Sequence, residues 1–288
     1  MTITCKNICR PLLCFRTKVS LVFTILLFCA SFGLKAQFVS IPSMGAPVLQ
    51  NFDTLGKKAN AKFPAGFKTD TTGNWNSSSA VDTTNRFGTT SGPSLLGTTS
   101  SGGCYNFCSG DSSSSADRAL GFLNTGSYGG PRSVILKIKN TTGAAIGSLS
   151  VTFDYEKYRS GSREFNWYFY HGSTSLPNIS ASSGDQNYPN DGVTSIIYNP
   201  PVSISKTVII GNLNIQPDSF YYMRWNLVGS SNSSSTCSLS KCTSGQGLGI
   251  DNLSITAYPG CTPPSTQGSI SALSTPNLGE ILVNFTRG

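Results

Sequence analysis

Apolar residues recur at every second position along much of the chain, and no window holds the 3.6-residue period of an amphipathic helix. In residues 133–139, Val134, Leu136 and Ile138 fall on one side. Asn140-Thr141-Thr142-Gly143 reads as a turn, and residues 148–155 alternate again through Leu149, Val151, Phe153 and Tyr155. Residues 165–170 (FNWYFY) form an aromatic run closed by His171-Gly172, and residues 194–198, 207–210, 220–228 and 249–257 complete the set. β-branched and aromatic enrichment between Gly/Asn/Ser turns supports each strand. Many short strands without helices between them predict an all-β, antiparallel architecture. The span 37–258 suits one jelly-roll-like β-sandwich better than two small domains. Residues 69–90, 98–115, 177–192 and 230–244 read as long loops.

The same alternation assigns faces. In residues 165–170 it sends Phe165, Trp167 and Phe169 to one side and Asn166, Tyr168 and Tyr170 to the other. The first set is expected in the core, and the second offers a platform on which sugar rings can stack. Trp225 alternates with Met223 and Leu227 and is expected in the core. Tyr158, between Glu156 and Arg159, reads either as an aromatic face with hydrogen-bonding neighbours or as a structural corner.

The N-terminus changes the charge. Lys6, Arg10, Arg16 and Lys18 precede an apolar run over 21–34, and Lys35-Ala36-Gln37 follows. A basic start, a short apolar run and a small residue at the boundary predict a signal peptide over 1–36. The run is short for a membrane span, so no stable span is expected after cleavage. Residues 1–36 hold five Lys/Arg and no acid; removing them leaves 16 basic against 13 acidic residues, a net +3 instead of +8. No remaining Lys/Arg cluster forms a phosphate-tracking stripe, which argues against nucleic acid as a partner. A secreted or cell-surface location follows.

Export places the remaining cysteines in an oxidising compartment. Cys237 and Cys242 are candidates for a disulfide, most simply with each other, and Cys104 and Cys108 for another, with the connectivity open. If Tyr105-Asn106-Phe107 is a strand, Cys104 and Cys108 lie about 13 Å apart, too far to bond to each other. Cys261 is left over. His171 is the one histidine and has no cysteine nearby, which disfavours zinc.

The chain holds no H-E-x-x-H, no P-loop and no dinucleotide fingerprint. Glu156 and Glu164, eight residues apart across Gly161, are the one pair arguable as glycosidase carboxylates. The simpler reading is surface carboxylates beside Lys157, Arg159 and Arg163, so no enzyme activity is expected.

A series of short motifs carries a resemblance. Gln50-Asn51-Phe52-Asp53-Thr54-Leu55, Pro64-Ala65-Gly66-Phe67, Cys104-Tyr105-Asn106-Phe107, Asp117-Arg118-Ala119-Leu120-Gly121-Phe122-Leu123 and Asn140-Thr141-Thr142-Gly143 come in that order. Glu156-Lys157-Tyr158-Arg159-Ser160-Gly161, Met223-Arg224-Trp225-Asn226 and Gly247-Leu248-Gly249-Ile250-Asp251-Asn252 follow. Over about residues 48–257 this resembles a β-sandwich module of secreted Bacteroidetes proteins. Past Pro259-Gly260, the stretch from Cys261-Thr262-Pro263-Pro264 to Leu282-Val283-Asn284-Phe285 is similar to the opening of a fibronectin type III module. The layout is then signal peptide (1–36), sandwich (37–258), and linker with a partial module (259–288). It implies a chain cut short, with further domains as partners.

A structural calcium is a candidate, with an Asp hydrogen-bonded to a turn as the alternative. Jelly-roll binding and adhesion domains often tie first and last strands through Ca²⁺, and Asp53 and Asp251 are the candidate ligands. The implied function is an exported, non-catalytic binding or adhesion module, with glycans or extracellular polymers as partners. Glu156, Tyr158, Arg159, Tyr168 and Tyr170 are its candidate contacts. A structural spacer is the alternative, and a polysaccharide hydrolase a third.

Overall fold

The computed structural model describes residues 38–56, 61, 63–69, 102–109, 115–123, 132–192, 196–229 and 245–260. The expectations for residues 1–36, for Cys237, Cys242 and Cys261, and for the second module from 261 onward lie outside them.

The described residues form strands β1 (Val39–Ile41), β2 (Pro47–Gln50), β3 (Phe67–Thr69), β4 (Gly103–Cys108), β5 (Arg118–Leu123), β6 (Arg132–Asn140) and β7 (Ile146–Arg159). They continue with β8 (Phe165–Gly172), β9 (Ile179–Ser180), β10 (Gln186–Tyr188), β11 (Ile197–Ile210), β12 (Phe220–Gly229) and β13 (Gly247–Pro259). Two 3-10 turns, Asp53–Leu55 and Ser182–Gly184, are the only helical elements among them.

The strands make a two-sheet sandwich. Sheet I runs β1-β6-β12-β8-β10, with β3 also paired to β6 and β9 to β8. Sheet II runs β11-β7-β13-β5-β4, with β2 also paired to β13. Every pairing is antiparallel except β1 with β6, which is parallel and aligns Val39 with Ile138.

The period-2 pattern explains the core. Val134, Leu136 and Ile138 of β6, Phe165, Trp167 and Phe169 of β8, and Met223, Trp225 and Leu227 of β12 face inward from sheet I. Leu149, Val151, Phe153 and Tyr155 of β7 meet them from sheet II. Phe153 stacks on Phe169 at 5.5 Å and stands edge-on to Trp225 at 5.4 Å, while Tyr155 stacks on Trp167 at 5.4 Å. Each such side chain buried contributes about 1.5–3 kcal/mol. The Tyr155 hydroxyl, deep in this layer, donates to the Gly184 carbonyl at 2.8 Å.

In β13 the alternation changes phase. Leu248 and Ile250 point inward, and so do Leu253, Ile255 and Ala257. A bulge absorbs the extra residue: Asp251 pairs with Asp154 and Ser254 with Thr152, so Asn252 and Leu253 together oppose Phe153. Asn252 makes it possible with a φ of 50°, a left-handed conformation that asparagine tolerates.

The structure corrects several strand readings. Residues 197–198 of the expected strand 194–198, together with residues 207–210, belong to one strand, β11, which passes through Pro200-Pro201. Two prolines fit there because β11 is an edge strand paired only to β7, and the pairing is irregular between Ile197 and Val202. The loop at 98–115 contains β4, and the loop at 177–192 holds β9, a 3-10 turn and β10. β4 and β5 lie against the core on one face and form a second apolar cluster on the other, of Tyr105, Phe107, Ala119 and Leu123 with Tyr158 of β7. Burial on both faces erases the alternation by which a strand is recognised.

Cys104 and Cys108 are buried and are not bonded to each other: they occupy the two ends of β4's ladder with β5. Burial raises the Cys104 thiol far above its usual range. Asn140 of the Asn-Thr-Thr-Gly turn is buried, and its amide donates to the carbonyls of Ala144 and Ile215, each at 2.8 Å.

Candidate functional site

Two constellations come together, one on the outer face of each sheet. On sheet I, Asn166, Tyr168 and Tyr170 of β8 point away from the core and are half-buried. The register sets Tyr168 beside Asn226 and Tyr170 beside Arg224 of β12. One row further, Tyr222 lies beside Gly172, so no β8 side chain crowds it. Tyr168, Tyr170 and Tyr222 therefore occupy successive rows, spaced by about 6.8 Å along the strands.

Polar groups frame these rings. The Arg224 guanidinium lies 4.8 Å from the centre of the Tyr170 ring. The Asn226 amide satisfies both ends when its nitrogen donates to Ser133 Oγ at 2.9 Å and its oxygen accepts from Arg224 Nη2 at 3.2 Å. Asn187 Nδ2 donates to Glu164 Oε1 at 2.8 Å and to Asn166 Oδ1 at 2.5 Å. The opposite face of the same strands carries Trp167, Phe169 and Trp225, all fully buried, so the platform rests on a stiff layer.

Tyr222, Arg224 and Asn226 are the residues that sequence reasoning missed. The signal was present, since alternation around Met223 and Trp225 sends all three outward. Only the β8–β12 register shows that they share a face with Tyr168 and Tyr170.

The second constellation is a group of carboxylates where β2, β5, β7 and β13 meet. Asp53 opens the 3-10 turn after β2, and its Oδ1 accepts from the Arg118 backbone N–H at 3.0 Å. Its Oδ2 accepts from Asn51 Nδ2 at 2.6 Å. Asp117 directly precedes β5, and Asp251 sits at the β13 bulge. Asp251 is 1% exposed, and its Oδ1 has no hydrogen-bond partner. Burial pushes this carboxyl up to about 8, and the charges of Glu156, Asp117 and Asp53 add to the effect. Burial raises Asp117 as well, with Asp53 adding and Arg118 opposing. Glu156 is pushed up to about 7 by burial, with further contributions from Asp117 and Asp154. The ion pairs between described residues, Lys139–Asp218 and Lys157–Asp191, involve none of these carboxylates.

Tyr158 and Arg159, two of the candidate ligand contacts, are buried. Tyr158 is 1% exposed and stacks on Phe107 at 4.7 Å, so its ring offers no face to a ligand. Its hydroxyl donates to Glu156 Oε2. Arg159 is likewise buried, opposite Gly247 of β13, and desolvation lowers its pKa. These residues form the corner of the sandwich, braced by the Lys157–Asp191 ion pair at 2.5 Å and by Gly161 N–H donating to Asp191 at 2.9 Å. Glu156 and Glu164 are not brought together as a carboxylate pair, since Glu156 belongs to sheet II and Glu164 bonds to Asn166 and Asn187 of sheet I. His171, a strand-end residue, pairs with Tyr221 through Nδ1 and the hydroxyl at 2.6 Å.

Among the described residues, no three Asp, Glu, His or Cys side chains already converge on a common metal position. No helix among them is long and apolar enough to cross a membrane.

No family model and no curated protein matches the sequence. Among solved structures, the chain is similar to two cleaved adhesin domains of Lys-gingipain from Porphyromonas gingivalis. One has 14% identity and a TM-score of 0.37, covering 74% of this chain and 99% of the other. The second has 14% identity and a TM-score of 0.38, covering 73% and 99%. TmCBM61 in complex with β-1,4-galactotriose has 9% identity and a TM-score of 0.25, covering 75% and 91%.

Proposed function

We propose that the chain is an exported, non-catalytic binding module that holds glycans on the outer face of sheet I. The observation that carries this reading is the row of half-buried rings of Tyr168, Tyr170 and Tyr222, flanked by Arg224 and by the amides of Asn166 and Asn187. Tyrosine rings stack on the apolar faces of sugars while their hydroxyls stay hydrated, and neighbouring amides exchange hydrogen bonds with sugar hydroxyls. The module does so without a reaction: its role is attachment at the cell surface or outside the cell.

A calcium ion at the carboxylate group belongs to the same reading. Asp251 and Asp53 would hold it, with Asp117 beside them and backbone carbonyls completing an oxygen shell. The orphaned Oδ1 of buried Asp251 supports the fit, as does the raising of Asp251 and Asp117 by burial and by neighbouring carboxylate charge, which a divalent cation would oppose. Bound there, calcium would tie the turn after β2 to the last strand.

The test is a glycan array probed with the full chain, followed by titration of the best hit against Tyr168→Ala. Removing one stacking ring should weaken binding by about 1–3 kcal/mol if its worth resembles that of other aromatic platforms. The melting temperature should stay nearly unchanged, because Tyr168 lies outside the core. An unfolded Tyr168→Ala variant would show the ring to be structural and sink the platform. If the wild type binds no glycan, the spacer reading replaces this one.

A further inference from the structure

At the end of the tyrosine row lies a cleft of about 640 Å³. Tyr222 lines it together with Phe220, Ile179 and the loop 211–219 that joins β11 to β12. Its volume falls within the range of small-ligand sites.

The loop is fixed before any ligand arrives. Leu213 N–H donates to Gly147 O at 2.8 Å, and Ile146 and Ile215 exchange backbone hydrogen bonds at 3.0 and 3.1 Å. Asp218 N–H donates to Asn140 O at 2.8 Å, and the buried Asn140 amide holds the Ile215 carbonyl. A wall anchored in this way loses little entropy on binding.

The side chains it presents are neutral and hydrogen-bonding. Asn212, Asn214 and Gln216 are exposed on the loop. Gln216 Nε2 donates to Asn214 Oδ1 at 2.6 Å, which leaves the Asn214 nitrogen as donor and the Gln216 oxygen as acceptor, side by side. Among the described residues, no charged side chain lines the cleft. The nearby cations are engaged at its border: Lys137, opposite Tyr222 in the ladder, sets its Nζ over the Phe220 ring at 3.8 Å, and Lys139 pairs with Asp218 at 2.7 Å. A paired donor and acceptor beside an aromatic ring suit the vicinal hydroxyls and apolar face of an uncharged sugar, and a lining without cations gives a carboxylate no partner.

We propose that this cleft is the subsite for a neutral sugar unit at the end of a glycan held along Tyr168, Tyr170 and Tyr222. The inference rests on the glycan-binding reading and adds where the glycan ends and which chemistry its end must have. The test uses the full chain, calorimetry, and a panel of neutral gluco-, manno-, galacto- and xylo-oligosaccharides beside counterparts carrying a terminal uronic acid. The wild type should bind a neutral oligosaccharide and discriminate against its uronate counterpart. Asn214→Ala combined with Gln216→Ala should weaken the neutral ligand by about tenfold, the worth of one or two hydrogen bonds, and should erase the discrimination. Both side chains are exposed and the loop is held by its backbone, so the variant should melt as the wild type does. If the double variant binds both ligands as the wild type does while Tyr168→Ala still weakens them, the cleft is not a subsite and the platform stands. If the wild type binds none of the panel or of the array, the platform reading falls and this inference falls with it.

Discussion

Asp251 is the residue at which sequence and structure differ most instructively. Its place in the last strand and the acidity of Asp53 were legible in the sequence, but its burial, its orphaned oxygen and its neighbour Asp117 were not. They arise from the β13 bulge and from β5 lying alongside, and both are long-range facts. The prediction follows from that setting. In metal-free protein, a carboxyl raised by its burial, with neighbouring carboxylates adding, contributes nothing favourable, so Asp251→Asn should leave the melting temperature unchanged or raise it. Calcium should raise the wild-type melting temperature, by an amount equivalent to about 2.7 kcal/mol at a hundredfold excess over Kd, and should not move the variant. Thermal scans with calcium and with chelator decide it, and a wild type indifferent to calcium would remove the ion from the proposal. The sequence leaves Tyr158 open between an aromatic face and a structural corner, and Phe107, from a strand hidden in an expected loop, covers its ring.

At the scale of elements, the strands that the sequence revealed are those with one face in the core. β8 alternates cleanly, as do the second half of β6 and the first half of β12, because the outer positions there carry polar and tyrosine side chains. β4 and β5 were concealed by burial on both faces, and β11 by its prolines. β5 also depends on a close backbone approach that no periodicity reports. A Cβ placed on Gly121 would lie 2.1 Å from the Leu248 carbonyl oxygen and 2.4 Å from Gly249 Cα. Both contacts are with backbone, so the β5–β13 pairing itself would have to move. Gly121→Ala should therefore cost about 1–3 kcal/mol or more, measured by urea denaturation, whereas Gly143→Ala, which meets nothing within 4 Å, should cost only the strain of its positive φ. Equal midpoints for Gly121→Ala and the wild type would show that the two strands are looser than this contact requires.

For the whole molecule, Trp167 and Trp225 sit in one aromatic layer shared by the two sheets, so the sheets should unfold together. In a Trp75→Phe background, fluorescence reports only these two tryptophans, and its denaturation curve should coincide with that of far-UV circular dichroism. Two separated transitions would mean that one sheet survives without the other. The place of β13 in sheet II has a consequence in time. This strand, the last among the described residues, lies between β7 on one side and β5 and β2 on the other, so the β7–β11 pair, the β4–β5 pair and β2 become one sheet only when it is inserted. β2 waits for a partner some two hundred residues further on, the kind of distant closure that slows folding. In a chain that emerges from a narrow channel N-terminus first, sheet II would thus close only when residues 247–259 come out, after the strands of sheet I are free to pair.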